Sequence, residues 1–309
     1  MNDEKKFWQL AIRVKVVRWL VTIGIVIVVL LVGAVGGYWW TQQQAGKESR
    51  REDRFIEQVS TVMSPNISVS DRYLADTNFM GGKVTSHRYK DIEGVREAWS
   101  PIVQPYSWTW LGNQSGDTLN STDTTDSGAY DRLTQHKIPL FYNPQVKHPD
   151  VQRADDVNKV ARTKGAVAEV AVSFDHPLTY AQIQQRLPKN LHAVWYWIGV
   201  SPKADATSMD NNFLGVQADS KGHMVATKYE NYYRSFRQTL EKLDFNYGYN
   251  NFYVGEYAHK YAKQYPTLKT AKFAGIIVTG DSENFKPLAN ADWIYASSAG
   301  FFQQRSVIK

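Results

Sequence analysis

Apolar positions along this chain follow two regimes. From Trp19 to Trp40 there is no charged residue, and the run is apolar on every side. Beyond Lys47, apolar residues recur at helical or strand spacing. Leu20–Trp40 is 21 residues, and at helical rise it spans about 31 Å. That matches the hydrocarbon core of a bilayer, about 30 Å thick. Trp19 at one end and Tyr38, Trp39 and Trp40 at the other supply rings that settle at headgroup depth. The pattern predicts a single N-terminal transmembrane helix over residues 19–40, anchored in lipid by those four aromatics.

Residues 41–65 read as a linker and stalk. Thr41–Gly46 is uncharged, and Phe55, Ile56, Val59, Val62 and Met63 mark a short amphipathic helix that Pro65 breaks. Residues 66–309 read as an α+β domain, best defined over 137–309. Its first part, Ile67–Leu111, holds strand-like pieces such as Tyr106–Leu111, with a turn at Gly81-Gly82. Asn113–Gly128 is strongly polar and reads as a loop. Ile138–Tyr142 is a short strand candidate, and Val151, Ala154, Val157, Val160 and Ala161 follow a helical period.

Ala166–Phe174 is a Val-rich strand, after which Asp175-His176-Pro177-Leu178 is expected to turn the chain. Thr179 and Gln182 form a capping box for a helix that ends by Pro188, and Leu191–Val200 is the next strand. Tyr232–Leu243 and Gly255–Gln264 read as helices. Phe273–Gly280 is a strand, Asp281 or Ser282 caps a short helix through Leu288, and Trp293–Ser297 closes. Two strand–helix–strand units of this kind predict a split βαβ, ferredoxin-like arrangement.

Charge sets the orientation. Residues 1–18 carry Lys5, Lys6, Arg13, Lys15 and Arg18 against Asp3 and Glu4, and the first basic residue after the span is Lys47. Basic residues crowded at the N-terminal edge favour a cytoplasmic tail and an external C-terminal domain. The rival is a cleaved signal peptide, for which Val32-Gly33-Ala34 offers small residues at suitable spacing. Its apolar region is usually about 7–15 residues, shorter than this one, so retention as an anchor is the reading taken. Gly33 and Gly37 form a GxxxG pair that suits close approach of two helices in a homodimer, although glycines are also common in membrane helices.

The pI near 9.2 does not make this a nucleic-acid binder. Of 36 basic and 30 acidic residues the tail takes five and two, leaving the remainder near balance and well mixed. Nucleic-acid binders gather positive charge on one face. The chain has no cysteine, which excludes disulfides, thiolate metal sites and a lipid-modified cysteine.

Candidate chemistry is thin. None of the seven histidines forms an H-x-x-x-H or H-E-x-x-H pair, so no metal site is expected. His192, in an apolar strand, reads as a structural histidine. Asp175-His176 resembles a catalytic pair but sits where turn residues are expected. There is no nucleophile elbow, P-loop or dinucleotide fingerprint, so neither a cofactor nor catalysis is expected. Trp108 and Trp110 offer a ligand platform for wall polymer, against the plainer reading of packed aromatics.

Gly165–Thr179 (GAVAEVAVSFDHPLT), Val194–Trp197 (VWYW) and Ile277–Gly280 (IVTG) before a short helix together resemble sigma factor regulators. So do Pro65–Val69, Phe141–Asn143 and the basic run into the apolar span. These are single-span bacterial membrane proteins, among them anti-sigma factors that restrain extracytoplasmic-function sigma factors. The resemblance implies an external sensory or interaction domain coupled through one helix to a sigma factor. It implies no catalytic residue. The tail, some 27 Å as a helix, supplies one contacting helix through Phe7, Trp8, Leu10, Ile12 and Val14. The alternative for those residues is a membrane-entry helix. A second small membrane protein is a further expected partner, and the rival function is an exported binding module with no transcriptional role.

Overall fold

The computed structural model describes residues 2–109, 122–125, 128–146, 153–202, 204, 213–225, 231–245, 248–249 and 252–305. One helix, α1, runs from Asn2 to Val62, 61 residues without a break, or about 90 Å at standard rise. The uncharged Thr41–Gly46 stretch is therefore helical and joins what the sequence presents as anchor and stalk. Nothing in it breaks a helix, since Gly46 lowers helix propensity without forbidding it. Pro65 follows the last turn, as expected.

Three antiparallel strands follow as a meander: β1 (Ser68–Asn78), β2 (Gly81–Ile92) and β3 (Val95–Ser107). Asn78 pairs with Gly81, so Phe79-Met80 is the whole loop between β1 and β2. A smaller sheet follows: β4 (Thr122–Thr125), β5 (Gly128–Asp131) and β6 (Lys137–Ile138). The predicted Ile138–Tyr142 strand is thus cut to its first residue. Beyond it Phe141 leaves the ladder and stacks on Trp197, with centroids 4.8 Å apart.

The body of the molecule is a five-stranded antiparallel sheet. Its strands are β7 (Ala166–Thr179), β8 (His192–Trp197), β9 (Gly215–Gln217), β12 (Lys272–Asp281) and β13 (Ile294–Gln304), in the order β13-β7-β12-β8-β9. A hairpin of β10 (Gly248–Tyr249) and β11 (Phe252–Tyr253) stands apart. The helices are α2 (Val157–Arg162), α3 (Tyr180–Arg186), α4 (Tyr232–Glu241) and α5 (Val254–Gln264). Thr179 and Gln182 form the expected capping box. Ser282–Leu288 is a 3-10 helix with Pro287 inside it, and Asp281 provides no side-chain cap. Instead Asp281 pairs with Arg305 at 3.3 Å.

Asp175–Leu178 does not turn the chain. β7 continues to Thr179, opposite Lys272, and the surplus residues form a bulge between the Ser173–Gly275 and Leu178–Phe273 pairs. A bulge accommodates Pro177, which cannot donate to a ladder.

Both faces of this sheet are covered, so β7 reads as a nearly continuous apolar run. Val170, Val172 and Phe174 face one core with Ile276, Val278, Phe236 and Tyr261, where α3, α4 and α5 pack. Ala171, Ile277, Trp195 and Trp197 face the other with Phe141 and Phe213.

Candidate functional site

α1 is exposed at every position from Glu4 to Trp40. It is the one helix among the described residues long and apolar enough to cross a membrane. Phe7, Trp8, Leu10, Ile12 and Val14 all face outward on it, as do Trp19, Tyr38, Trp39 and Trp40. A Cβ added at Gly33 or Gly37 would meet nothing, so that face is open.

From Thr41 the helix changes character. Thr41, Ala45, Ser49, Ile56, Val59 and Val62 are buried, a single stripe against β2, β3 and, near its end, α4 and β9. The small residues at the upper turns let the strands come close. Ala45 shares its core with Val84, Ile102 and Tyr106. Lower down, Phe55 packs edge-on against Phe245 at 5.0 Å, and Gln58 donates to the Lys242 carbonyl at 3.1 Å.

Where the helix ends, three parts of the fold meet on one buried carboxylate. Asn66, in a left-handed conformation at φ 52°, donates through Nδ2 to Glu169 Oε1 at 2.8 Å. Lys90 Nζ on β2 reaches both Glu169 oxygens, at 2.9 and 2.7 Å. The Phe301 backbone N–H on β13 donates to Oε2 at 3.3 Å. Both charged side chains are 0% exposed, and Lys90 lies 4.3 Å above the Trp99 ring. Burial lowers the Lys90 pKa, opposed by the Glu169 charge and hydrogen bonds. The residual acceptor and donor capacity is thus met by an amide, a backbone N–H and an aromatic face, as a buried ion pair requires.

A second buried cation lies two residues away on β2, linked to a buried carboxylate through Ser100. Arg88 Nε donates to the Ser100 carbonyl at 2.7 Å, and Ser100 Oγ donates to Asp131 Oδ1 at 2.6 Å. Burial lowers the Arg88 pKa to about 10, with Asp131 pulling the other way. Arg88 and Lys90, at alternate positions of β2, are thus both buried, and Lys90 joins the meander to β7.

The upper end of the meander meets the helix at a different kind of contact. The Phe79 ring stacks on Tyr38 at 6.1 Å, and Trp108 sits 5.9 Å from Phe79 and 6.5 Å from Trp40. Trp108 Nε1 donates to the Phe79 carbonyl at 3.0 Å. Trp108 thus packs among these rings, and Trp110 lies outside the described residues.

Asp175 and His176 pair at 2.7 Å in solvent at the β7 bulge. His192 Nδ1 lies 2.9 Å from Glu93 Oε1, which also accepts from Thr279 Oγ1 at 2.8 Å, so it is a partnered histidine. Among the described residues no three His, Asp or Glu gather as metal ligands. A cleft of about 390 Å³ between α5 and Val200–Pro202 is lined by Tyr257, Tyr261, Glu256 and Lys260. Burial holds the Tyr257 and Tyr261 phenols protonated by pushing their pKa values up.

Sequence reading missed the Asn66–Glu169–Lys90 node. Its signal was present: Glu169 is the one charged residue in Ala166–Phe174. A lone charge in a two-face-buried strand demands a partner.

The family model for the sigma factor regulator N-terminal domain matches residues 9–96, and that for the C-terminal domain matches residues 162–300. The first covers most of α1, then β1, β2 and the start of β3, and the second covers the five-stranded sheet up to the middle of β13. Among curated proteins and among solved structures, none matches the chain.

Proposed function

The chain belongs to the sigma factor regulator family, and on that footing we propose how it works. It is a single-span membrane protein with its N-terminal tail in the cytoplasm and its α+β domain outside. It restrains an extracytoplasmic-function sigma factor, and the external domain senses envelope state or binds a partner there. It acts by binding, not by catalysis. The observation that carries this is one uninterrupted helix, Asn2–Val62, exposed from Glu4 to Trp40 and packed into the domain from Thr41 on. Such a helix transmits a rotation or displacement of the domain to Phe7, Trp8, Leu10, Ile12 and Val14 without a hinge to absorb it.

In this reading the β7-α3-β8 and β12–β13 units are a split βαβ pair of the ferredoxin-like kind, with β9 as an added edge. Two copies pair through Gly33 and Gly37, which single-cysteine crosslinking in membranes tests separately. Failure to crosslink removes the dimer and leaves the regulator.

The deciding experiment recovers the full-length chain from gently solubilised membranes beside a version lacking Asn2–Lys15. A sigma factor that co-purifies only with the intact tail is the expected result. Absence of any sigma factor from both samples would overturn the reading in favour of an external binding module.

A further inference from the structure

The β1–β2 hairpin points back toward the membrane end of α1, and its length is matched to that task. Ser68 to Asn78 covers ten residue steps, about 33 Å at strand rise. Thr41 to Val62 on the helix covers about the same distance at 1.5 Å per residue. The chain leaves α1 at its lower end, and β1 returns it to the level of Tyr38 and Trp40. There the loop is Phe79-Met80. Two-residue hairpin loops call for Asn, Asp or Gly, and nothing in turn chemistry asks for Phe or Met.

Neighbours supply the turn chemistry instead. Asn78 Oδ1 accepts from the Met80 and Gly81 N–H groups at 2.8 and 3.2 Å. Ser107 Oγ donates to the Met80 carbonyl at 2.7 Å. Gly81 has φ 152°, and a Cβ there would fall 2.0 Å from the Tyr106 carbonyl oxygen. The loop is thus held rigid while Phe79 and Met80 stay 52% and 47% exposed. The nearby charges are cancelled locally, since Lys83 pairs with Asp76 at 2.8 Å. Below this level Lys47, Arg50, Arg51 and Arg54 on α1 alternate with Glu48, Glu52 and Asp53, and Arg51 pairs with Glu48 at 3.7 Å, so this stretch too is close to charge balance. That leaves an apolar wedge with no net charge beside it, set against the Tyr38–Trp40 aromatics, which suits the headgroup boundary of a bilayer.

We infer that Phe79 and Met80, backed by Trp108, form a second membrane contact in which the hairpin tip enters the headgroup region of the leaflet facing the domain. The inference rests on α1 being a membrane span. The tip extends the Tyr38–Trp40 belt sideways, so the domain is held to the bilayer at two points. The meander is then sensitive to lipid packing, and that sensitivity reaches the buried Lys90–Glu169 node through β2.

The chain's lack of cysteine allows a direct test. Single-cysteine full-length variants M80C, W39C, L133C and V29C, each carrying a fluorophore, are placed one chain per nanodisc. The lipid is phosphatidylglycerol and phosphatidylethanolamine with a nitroxide either at the headgroup or deep in the acyl chain. Headgroup nitroxide is expected to quench Met80→Cys to at least half the extent of Trp39→Cys, and several-fold more than the exposed, remote Leu133→Cys. Quenching of Met80→Cys no greater than Leu133→Cys overturns the inference. If Val29→Cys is still quenched by the deep nitroxide in that case, the anchor stands and only the second contact falls. If Val29→Cys is unquenched, the span itself fails, and this inference with it. A Met80→Cys thiol unquenched in nanodiscs but shielded from a water-soluble maleimide in native membranes assigns the tip to a protein partner and likewise overturns it.

Discussion

The two halves of α1 share one backbone geometry and differ in what surrounds them. From Trp19 to Trp40 no side chain is charged and every position is exposed. From Thr41 to Val62 only a stripe is buried, while Arg50, Arg51 and Arg54 face outward. The first half is built for a uniform apolar solvent and the second for a surface with water on one side and protein on the other. On the proposed reading the helix is a joint between two media, and its backbone has no break between the two halves. Where it ends, it is tied by Asn66 to an ion pair that no solvent reaches.

The largest way to break this comparison is to strip the node. Glu169→Leu leaves Lys90 charged, buried and unpaired, and is expected to cost about 3–5 kcal/mol of domain stability. Lys90→Met together with Glu169→Leu should recover most of it. Denaturant unfolding of the detergent-solubilised chain measures both, and a double variant no better than the single would sink the account. A lysine in the lipid half comes next. Val29→Lys is expected to weaken membrane insertion by about 2.5–3.5 kcal/mol, read as loss from the membrane fraction, while Gln43→Lys on the exposed side of the other half leaves it unchanged.

A finer contrast uses the same substitution twice. Ile56→Val, in the buried stripe, should lower domain stability by about 0.5–1.5 kcal/mol, whereas Ile25→Val changes it by less than about 0.5 kcal/mol. Equal effects would mean that the two halves do not differ as described. The smallest effect is in pH. Burial raises the Asp156 pKa, but hydrogen bonds from Lys159 and the Ala299 N–H, with the Lys137 charge, outweigh it and hold the carboxyl below its ordinary value. Its folded pKa being the lower one, its contribution is complete above the unfolded value near about 4 and disappears as pH falls through the folded value. Asp156→Asn should flatten that part of an acid-unfolding curve for the domain.

Much of this was legible in sequence because it depends on neighbours along the chain. The apolar run, the Thr179–Gln182 capping box and strands β7, β8 and β12 are local matters of period, cap chemistry and β-branched content. The misreadings share one cause. Ile138–Tyr142 has strand composition, yet Phe141 gains more by stacking on Trp197 than by pairing. Asp175–Leu178 has turn composition, yet pairing of Leu178 with Phe273 keeps the strand going beyond a bulge. In each case a distant partner outweighed a local preference. The Thr41–Gly46 stretch looked like a linker because it is polar and uncharged. It is helical because Thr41 and Ala45 have strands to pack against, which the sequence does not announce.

By itself, then, the sequence determined the apolar helix, the crowding of basic residues at its N-terminal edge and the resemblance to sigma factor regulators. These follow from hydropathy and charge, which are sums over consecutive residues. Only the tertiary structure decided that anchor and stalk are one helix, that Asn66, Lys90 and Glu169 meet, and that Phe79 lies against Tyr38. Those contacts join positions 41 residues apart for Tyr38 and Phe79, 79 for Lys90 and Glu169 and 103 for Asn66 and Glu169. A buried charge states that it needs a partner, and an exposed aromatic that it needs an apolar surface. Which residue or which lipid answers is settled only when the sheet and helix bring them within a few ångströms.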